Sequence, residues 1–189
     1  GFDDPNADPP TNSVETIIDS LPRPDHYTGA GGTPSVQNGY ASLGETMTTP
    51  AGLESVISAI YNAPGSVHYN STNVGTFNPN STVNSSINYV DGDLTLNGNG
   101  TGRGILVVTG TLTMSGNFNW FGLIFVVGDG HVEMNGGGNG VVTGSLFVAK
   151  IWDSNSTKNL LEDMGSPTFN WNGGGGNGIQ YDHCYASNL

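Results

Sequence analysis

Across residues 90–148, short runs of apolar positions alternate with polar ones, and glycine- and asparagine-rich breaks separate the runs. The runs recur. Leu94, Thr95 and Leu96 are matched 18 residues later by Leu112, Thr113 and Met114, and 20 residues after that by Val132, Glu133 and Met134. A second series steps beside the first: Ile105, Leu106, Val107 and Val108, then Leu123, Ile124, Phe125 and Val126, again 18 apart, then Leu146, Phe147 and Val148. Such a period means stacked units that bury their apolar sides on one another. Two strands per repeat, with glycine at the corners, predict a mainly β fold: a short parallel β-helix (solenoid) of about four coils. The fourth coil begins near Val148 and resumes at Thr168, Phe169 and Trp171, which makes 153–167 an insertion. Phe169 lies 37 residues after Val132, close to two periods, and that supports the register. An antiparallel β-sandwich would also use glycine-punctuated strands, but it gives no cause for the constant step.

One segment carries a helical period instead. Leu53, Val56, Ile57 and Ile60 form a single apolar stripe in Pro50–Tyr61, with Thr49 as N-cap, Pro50 at the first helical position and Glu54 in an acidic first turn. A stripe this clean must cover an apolar surface, so the helix is expected as an end cap or side brace of the stack. Asn12 and Glu15 have capping-box spacing ahead of Ile17, Ile18 and Leu21, which predicts a short helix ending before Pro22. Residues 23–43 are broken by Pro24, Gly29, Gly31, Gly32 and Pro34 and read as loop. Residues 1–11 hold three Pro and three Asp and read as an extended arm or tether. The organisation expected is therefore an arm at 1–11, a helical and loop cap at 12–65, and the β-helix at 66–189. Weakly alternating strands from Ser66 to Tyr89 lead into the repeat.

Charge narrows the partners. Sixteen acidic residues face only Arg23, Arg103, Lys150 and Lys158, a net charge of -12. Such a chain repels nucleic acid and anionic lipid. Only 11% of residues are charged, so solubility rests on Asn, Ser, Thr and Gly, a composition typical of extracellular or cell-surface proteins. The longest apolar run, 120–127, is broken by Gly122 and falls far short of the ~20 residues of a spanning helix. An opening on Gly1 without initiator Met predicts a processed chain or a piece of a longer one. Cys184 is the only cysteine, so no internal disulfide can form. It is expected as a small buried apolar residue, with pairing to another chain as its alternative role.

Candidate chemistry clusters at the strand starts, where Asp91, Asp93, Asp129, His131 and Glu133 lie. Paired carboxylates on adjacent coils could serve as acid and base or hold calcium. One coil after Asp93, however, stands Thr111, and Arg103 is the sole nearby base. Solvated turn residues are therefore the expectation, and no enzyme is expected; a β-helix polysaccharide lyase or hydrolase, or a glycan-binding protein, is the competing reading. Calcium is the one cofactor considered, with Asp91, Asp93 and Asp129 as candidates, although no stretch has EF-hand ligand order. The glycine tracts at 136–140 and 173–176 lack the Lys-Ser/Thr and the helix of a phosphate loop and read as tight corners. Histidines 26, 68, 131 and 183 show no metal-ligand spacing, and on a strand His183 and Cys184 would face opposite ways. Trp120, Phe121, Trp152 and Trp171 would stack on sugars if exposed, but packing is favoured because Trp120 and Phe121 sit in an apolar block. Sequons at Asn70, Asn80, Asn84, Asn99 and Asn155 are glycosylation candidates in expected loops or turns.

The run GRGILVVTGTLTMSGNFNWFGLIFVVG, then GNGVVTGSLFVA, then GGGGNGIQYDHC resembles the C-terminal region of bacterial PilX-type pilus-assembly proteins. These are membrane-anchored accessory (minor) pilin-like proteins with large secreted β-rich domains. The matching positions are residues 104–128, residues 173–177, Tyr181 and Cys184, within a stretch (90–184) that is half the chain. The hydrophobic N-terminal segment of those proteins has no counterpart in this sequence. The resemblance implies a surface or pilus-associated structural role and carries no catalytic residue across. Its implied partners are further copies of the chain or other filament subunits; glycans are a separate candidate partner class, through the aromatic residues above. Gly1, Phe2 and Cys184 are the candidate assembly residues, the first two because an extended arm can pack on a neighbouring chain.

Overall fold

The computed structural model describes residues 14–21, 24–29, 32–37, 39–72, 87–135, 137–153, 157–172, 175–176 and 178–187. In chain order these form α1 (Val14–Ser20), a 3-10 turn (Pro24–His26), α2 (Tyr40–Leu43), α3 (Glu45–Thr48) and α4 (Pro50–Tyr61). Strands follow: β1 (Ser66–Thr72), β2 (Ile87–Leu96), β3 (Thr101–Val108), β4 (Thr111–Ser115), β5 (Asn119–Gly128) and β6 (His131–Asn135). The chain then forms β7 (Val141–Trp152), β8 (Leu160–Gly165), β9 (Thr168–Asn172), β10 (Gly178–Tyr181) and α5 (His183–Ser187).

The strands wind into a β-solenoid of about three turns, with a further turn interrupted by an excursion. One wall is β2-β3-β5-β7-β10 and the other is β2-β4-β6-β9, both parallel throughout, with the long β2 bending from one wall into the other. The spacings read from the sequence are the coil steps. Leu94 pairs with Leu112, Leu112 with Val132, and Val132 with Phe169. The excursion at 153–167 is not unstructured loop: it contains β8, which folds back antiparallel on β7. Its sequence, LLEDMG, lacks alternation, so the strand was hidden.

Alternation along each strand sends one set of side chains inward. Leu94, Leu96, Leu106, Val108, Leu112, Met114, Trp120, Ile124, Val126, Val132, Met134 and Val142 are all buried in one interior cluster. An inward column of glycines, Gly104, Gly122 and Gly144, runs through it in register, each at positive φ. Gly122 and Gly144 sit so close to the carbonyl of the preceding glycine that a Cβ has no room. The space they leave admits Trp120, which is fully buried and donates its indole N–H to the Gly104 carbonyl at 3.3 Å.

A second apolar cluster lies outside the coil. Leu53 and Ile57 of α4 pack with Tyr89, Val107, Val127, Ala149, Ile151 and Trp152, residues drawn from successive coils. Helix α4 is therefore a side brace rather than a plug over the end. Its start is as expected, with the Thr49 hydroxyl accepting from Gly52 N at 3.2 Å, although Glu54 falls just beyond the first turn. The segment read as loop before it holds the 3-10 turn and the one-turn helix α2, and α3 follows directly, all too short to show a period. Strand β1 lies parallel on β2, as expected of a strand feeding the repeat; 73–86 lie outside the described residues.

Candidate functional site

The two corners of the coil hold most of the polar chemistry. At the first corner Thr109, 1% exposed, donates its hydroxyl to Asp91 Oδ1 at 3.1 Å and accepts from Gly92 N at 2.8 Å. Asp93 Oδ1 accepts from Thr111 N at 2.7 Å, and Asp129 N donates to the Thr109 carbonyl at 3.0 Å. These carboxylates are exposed but not idle: Asp91 and Asp93 fasten one coil to the next. Among the described residues no group of three metal-binding side chains forms, so Asp91, Asp93 and Asp129 are not brought together as a calcium cage.

Lys158, from the excursion, returns to this corner and pairs with Asp91, 67 residues away in sequence, while its ammonium lies 5.1 Å from the centre of the Trp152 ring. The Lys158 hydrogen bond, aided by that of Thr109, holds the Asp91 carboxyl below its ordinary range. A depressed carboxyl contributes stability above its unfolded pKa of about 3.9, and that contribution disappears as pH falls through the folded value. Both partners are about half exposed, so the pair is worth under about 1 kcal/mol. Carboxyl-detected NMR should show Asp91 titrating below the ordinary range in the native protein and moving up toward it in Lys158→Ala. An unmoved titration would place the cause elsewhere.

The second corner carries a ladder of asparagines. Asn117 Nδ2 donates to Asn99 Oδ1 at 2.9 Å, Asn139 N to Asn117 Oδ1 at 2.8 Å, and Gly176 N to Asn139 Oδ1 at 3.1 Å. The Asn117 and Asn139 side chains each accept from a backbone N–H of the following coil, and Asn99 accepts from the Asn117 side chain, which gives these asparagines a role beyond turn-forming. Asn99 is the lowest rung of that ladder and is exposed, as is Asn70 in β1. The remaining sequon candidates Asn80, Asn84 and Asn155, and the arm residues Gly1 and Phe2, lie outside the described residues. On the outer face His131 and Glu133 meet at 3.2 Å, and hydrogen bonds from His131 and then Asn135 hold the Glu133 carboxyl below its usual range.

Cys184 corrects the sequence reading. It is exposed, not buried, because the chain turns from β10 into α5, whose backbone starts on a hydrogen bond from Cys184 N to Asp182 Oδ1 at 2.8 Å. His183 and Cys184 are consecutive on this short helix, so strand geometry does not apply to them. Tyr185 from the same helix meets Phe121 on the wall, with ring centres 5.5 Å apart.

The end of the stack is different in kind. Ile179 stands over the inward Val142, and Tyr181 over the inward Gly144, yet they are 40% and 69% exposed, and among the described residues no strand pairs beyond β10. Beside them Leu146, Val148, Phe169 and Trp171, all inward positions, are only partly buried and line a cavity of about 470 Å³. Its opposite wall is polar: His26, Tyr27, Thr28 and Ser35, from a segment closed by Ser35 N donating to the Tyr27 carbonyl at 2.7 Å. Burial pushes the Tyr27 phenol above its ordinary range.

No helix among the described residues is long and apolar enough to cross a membrane. Comparison with known protein families, curated proteins and solved structures finds no match to this chain.

Proposed function

We propose that the protein is a secreted or cell-surface structural module, a subunit or accessory component of an extracellular filament or pilus-type assembly. The observation that carries this reading is the last coil of the stack, where Ile179 and Tyr181 continue the interior columns and remain exposed, while Phe169 and Trp171 are half-buried beside a cavity faced on its other side by His26, Tyr27, Thr28 and Ser35. Strands β9 and β10 each have a described neighbour on one side only. Open strand edges and contiguous exposed apolar groups are the two standard invitations to association. A further copy, or another subunit, stacking there would extend the columns already present. The acidic, lysine-poor, Asn/Thr/Gly-rich composition suits an extracellular setting, and the exposed Cys184 is a further candidate assembly contact.

The competing reading, a sugar-cleaving β-helix, draws less support. It needs an exposed aromatic row beside free carboxylates, whereas Trp120 is fully buried and Asp91 and Asp93 are engaged at the corner.

Size-exclusion with light scattering, beside negative-stain microscopy, tests the proposal on the full chain. The wild type should form oligomers or filaments, and Ile179→Lys with Tyr181→Lys should shift it to monomer without loss of fold, because charge on an edge strand blocks pairing. Deleting residues 1–11 should weaken assembly further. A wild type that stays monomeric at every concentration tried would overturn the reading.

A further inference from the structure

The last coil is left unpaired over a defined length. Strand β10 pairs with β7 at residues 141–144, and β8 pairs with it at Lys150 and Trp152. Strand β5 takes the other edge of β7 as far as Lys150. Among the described residues, therefore, no strand pairs with positions 145–149 on the edge away from β5. The cavity of about 470 Å³ lies there, with Leu146 and Val148 on one side and His26, Tyr27, Thr28 and Ser35 on the other. The far end of the stack carries a strand of matching length. Strand β1 runs in even register on β2 from Ser66 to Asn70, five residues, before its register shifts. Val67 stands in one column with Asn88, Leu106, Ile124 and Leu146, and Tyr69 in another with Val90, Val108, Val126 and Val148. The columns that begin on β1 are thus the ones that end in the open slot. Val67 is 46% exposed although Asn88, Leu106 and Ile124 above it are buried, and among the described residues β1 pairs with β2 alone. Charge and proline are the usual guards of a strand edge. In a chain of net charge -12, the two strips, SVHYN and SLFVA, contain neither an ionised carboxylate, nor Lys or Arg, nor proline.

Resting on the filament reading above, we infer that the partner of the open end is a second copy of this chain, joined head to tail. Strand β1 of one copy enters the 145–149 slot of the next as a parallel strand. Val67 then lies over Leu146 and Tyr69 over Val148, at the spacing of the coils themselves, and the two side chains take up the cavity. The segment on the cavity's other side closes on itself, with Tyr27 N donating to the Pro24 carbonyl at 3.2 Å and Ser35 N to the Tyr27 carbonyl at 2.7 Å. It can move aside without unpairing a strand. The two strips are different surfaces, so the contact is heterologous and does not close as a two-fold dimer does. Each copy adds five rungs to the shared columns, a rise of about 24 Å at about 4.8 Å per rung.

The test uses the full chain carrying Cys184→Ser, so that introduced thiols are the only ones. Within one copy Val67 and Leu146 are four rungs apart, about 19 Å and too far for a disulfide, whereas across the joint they are one rung apart. Val67→Cys combined with Leu146→Cys should therefore give a ladder of dimers, trimers and longer species under oxidised glutathione. Either single variant alone should stay uncrosslinked, and a mixture of the two should stop at the dimer. In parallel Val67→Lys, a change at an exposed position, should raise the concentration at which light scattering detects assembly by about tenfold or more. No ladder from the double variant, or assembly of Val67→Lys at the wild-type concentration, would overturn the inference and leave the filament reading standing. A wild type that never assembles would remove both.

Discussion

Gly122→Ala should destabilise the protein by about 3–5 kcal/mol, the sum of a backbone conformation open only to glycine and an overlap in a packed core. Gly122 sits at φ 136°, and a Cβ there runs into the carbonyl of Gly104 one coil earlier. Neither residue can yield alone, since both belong to strands locked in register on each side. Gly137→Ala is the matched control: a Cβ at that corner meets nothing within 4 Å. It should change stability by no more than about 0.5 kcal/mol. Urea unfolding of the two variants beside the wild type decides the matter. Equal losses would mean that the glycine column is not what sets the coil spacing.

Trp120→Ala should cost a similar amount, about 3–5 kcal/mol, for the opposite reason: it removes contact instead of adding a clash. The ring is wholly buried and fills the width that the glycine column leaves open. Trp120→Phe separates shape from hydrogen bonding. It keeps an aromatic ring but leaves the Gly104 carbonyl without the indole donor, so it should lose about 1–3 kcal/mol. A denaturation midpoint for Trp120→Ala close to wild type would show that the coil collapses around the gap, and would count against a rigid two-walled core. Gly122 and Trp120 are also coupled. Both act on the Gly104 carbonyl, which a Cβ at Gly122 would strike and the Trp120 indole holds, so in the double variant the losses should fall short of additive.

Much of the architecture was legible because a solenoid writes its contacts as sequence steps. Leu94, Leu112 and Val132 meet in space because they recur in the chain, and even the 37-residue step to Phe169 survives the excursion. The α4 stripe was equally plain, since Leu53 and Ile57 of the stripe are buried together with Pro50. The excursion's strand was not, because β8 gains its partner from β7 and not from its own pattern. Cys184 was misplaced because five residues of helix give no period to read. The corners were half-read. Asp93 was set against Thr111 in the correct register, but the comparison was between side chains, and the partner is the Thr111 backbone N–H. In the same way, Asn99, Asn117 and Asn139 look like turn punctuation until the coil step aligns them. Ile57 of α4, Tyr89 of β2 and Trp152 at the end of β7 pack together, and no local signal brings such distant residues to one place.

Helix α4 has a further consequence. Its 12 residues measure about 18 Å, and four stacked strands at about 4.8 Å per step rise about 14 Å. The helix precedes the coils in the chain, yet its apolar side meets outward residues from Tyr89 at one level to Ala149 at another. It is therefore a gauge for the height of the stack. A coil duplicated within the repeat would carry outward apolar positions like Val107 and Phe125 beyond the reach of the helix, and they would face water. Lengthening this protein one coil at a time thus requires lengthening α4 with it, about three residues for each added strand.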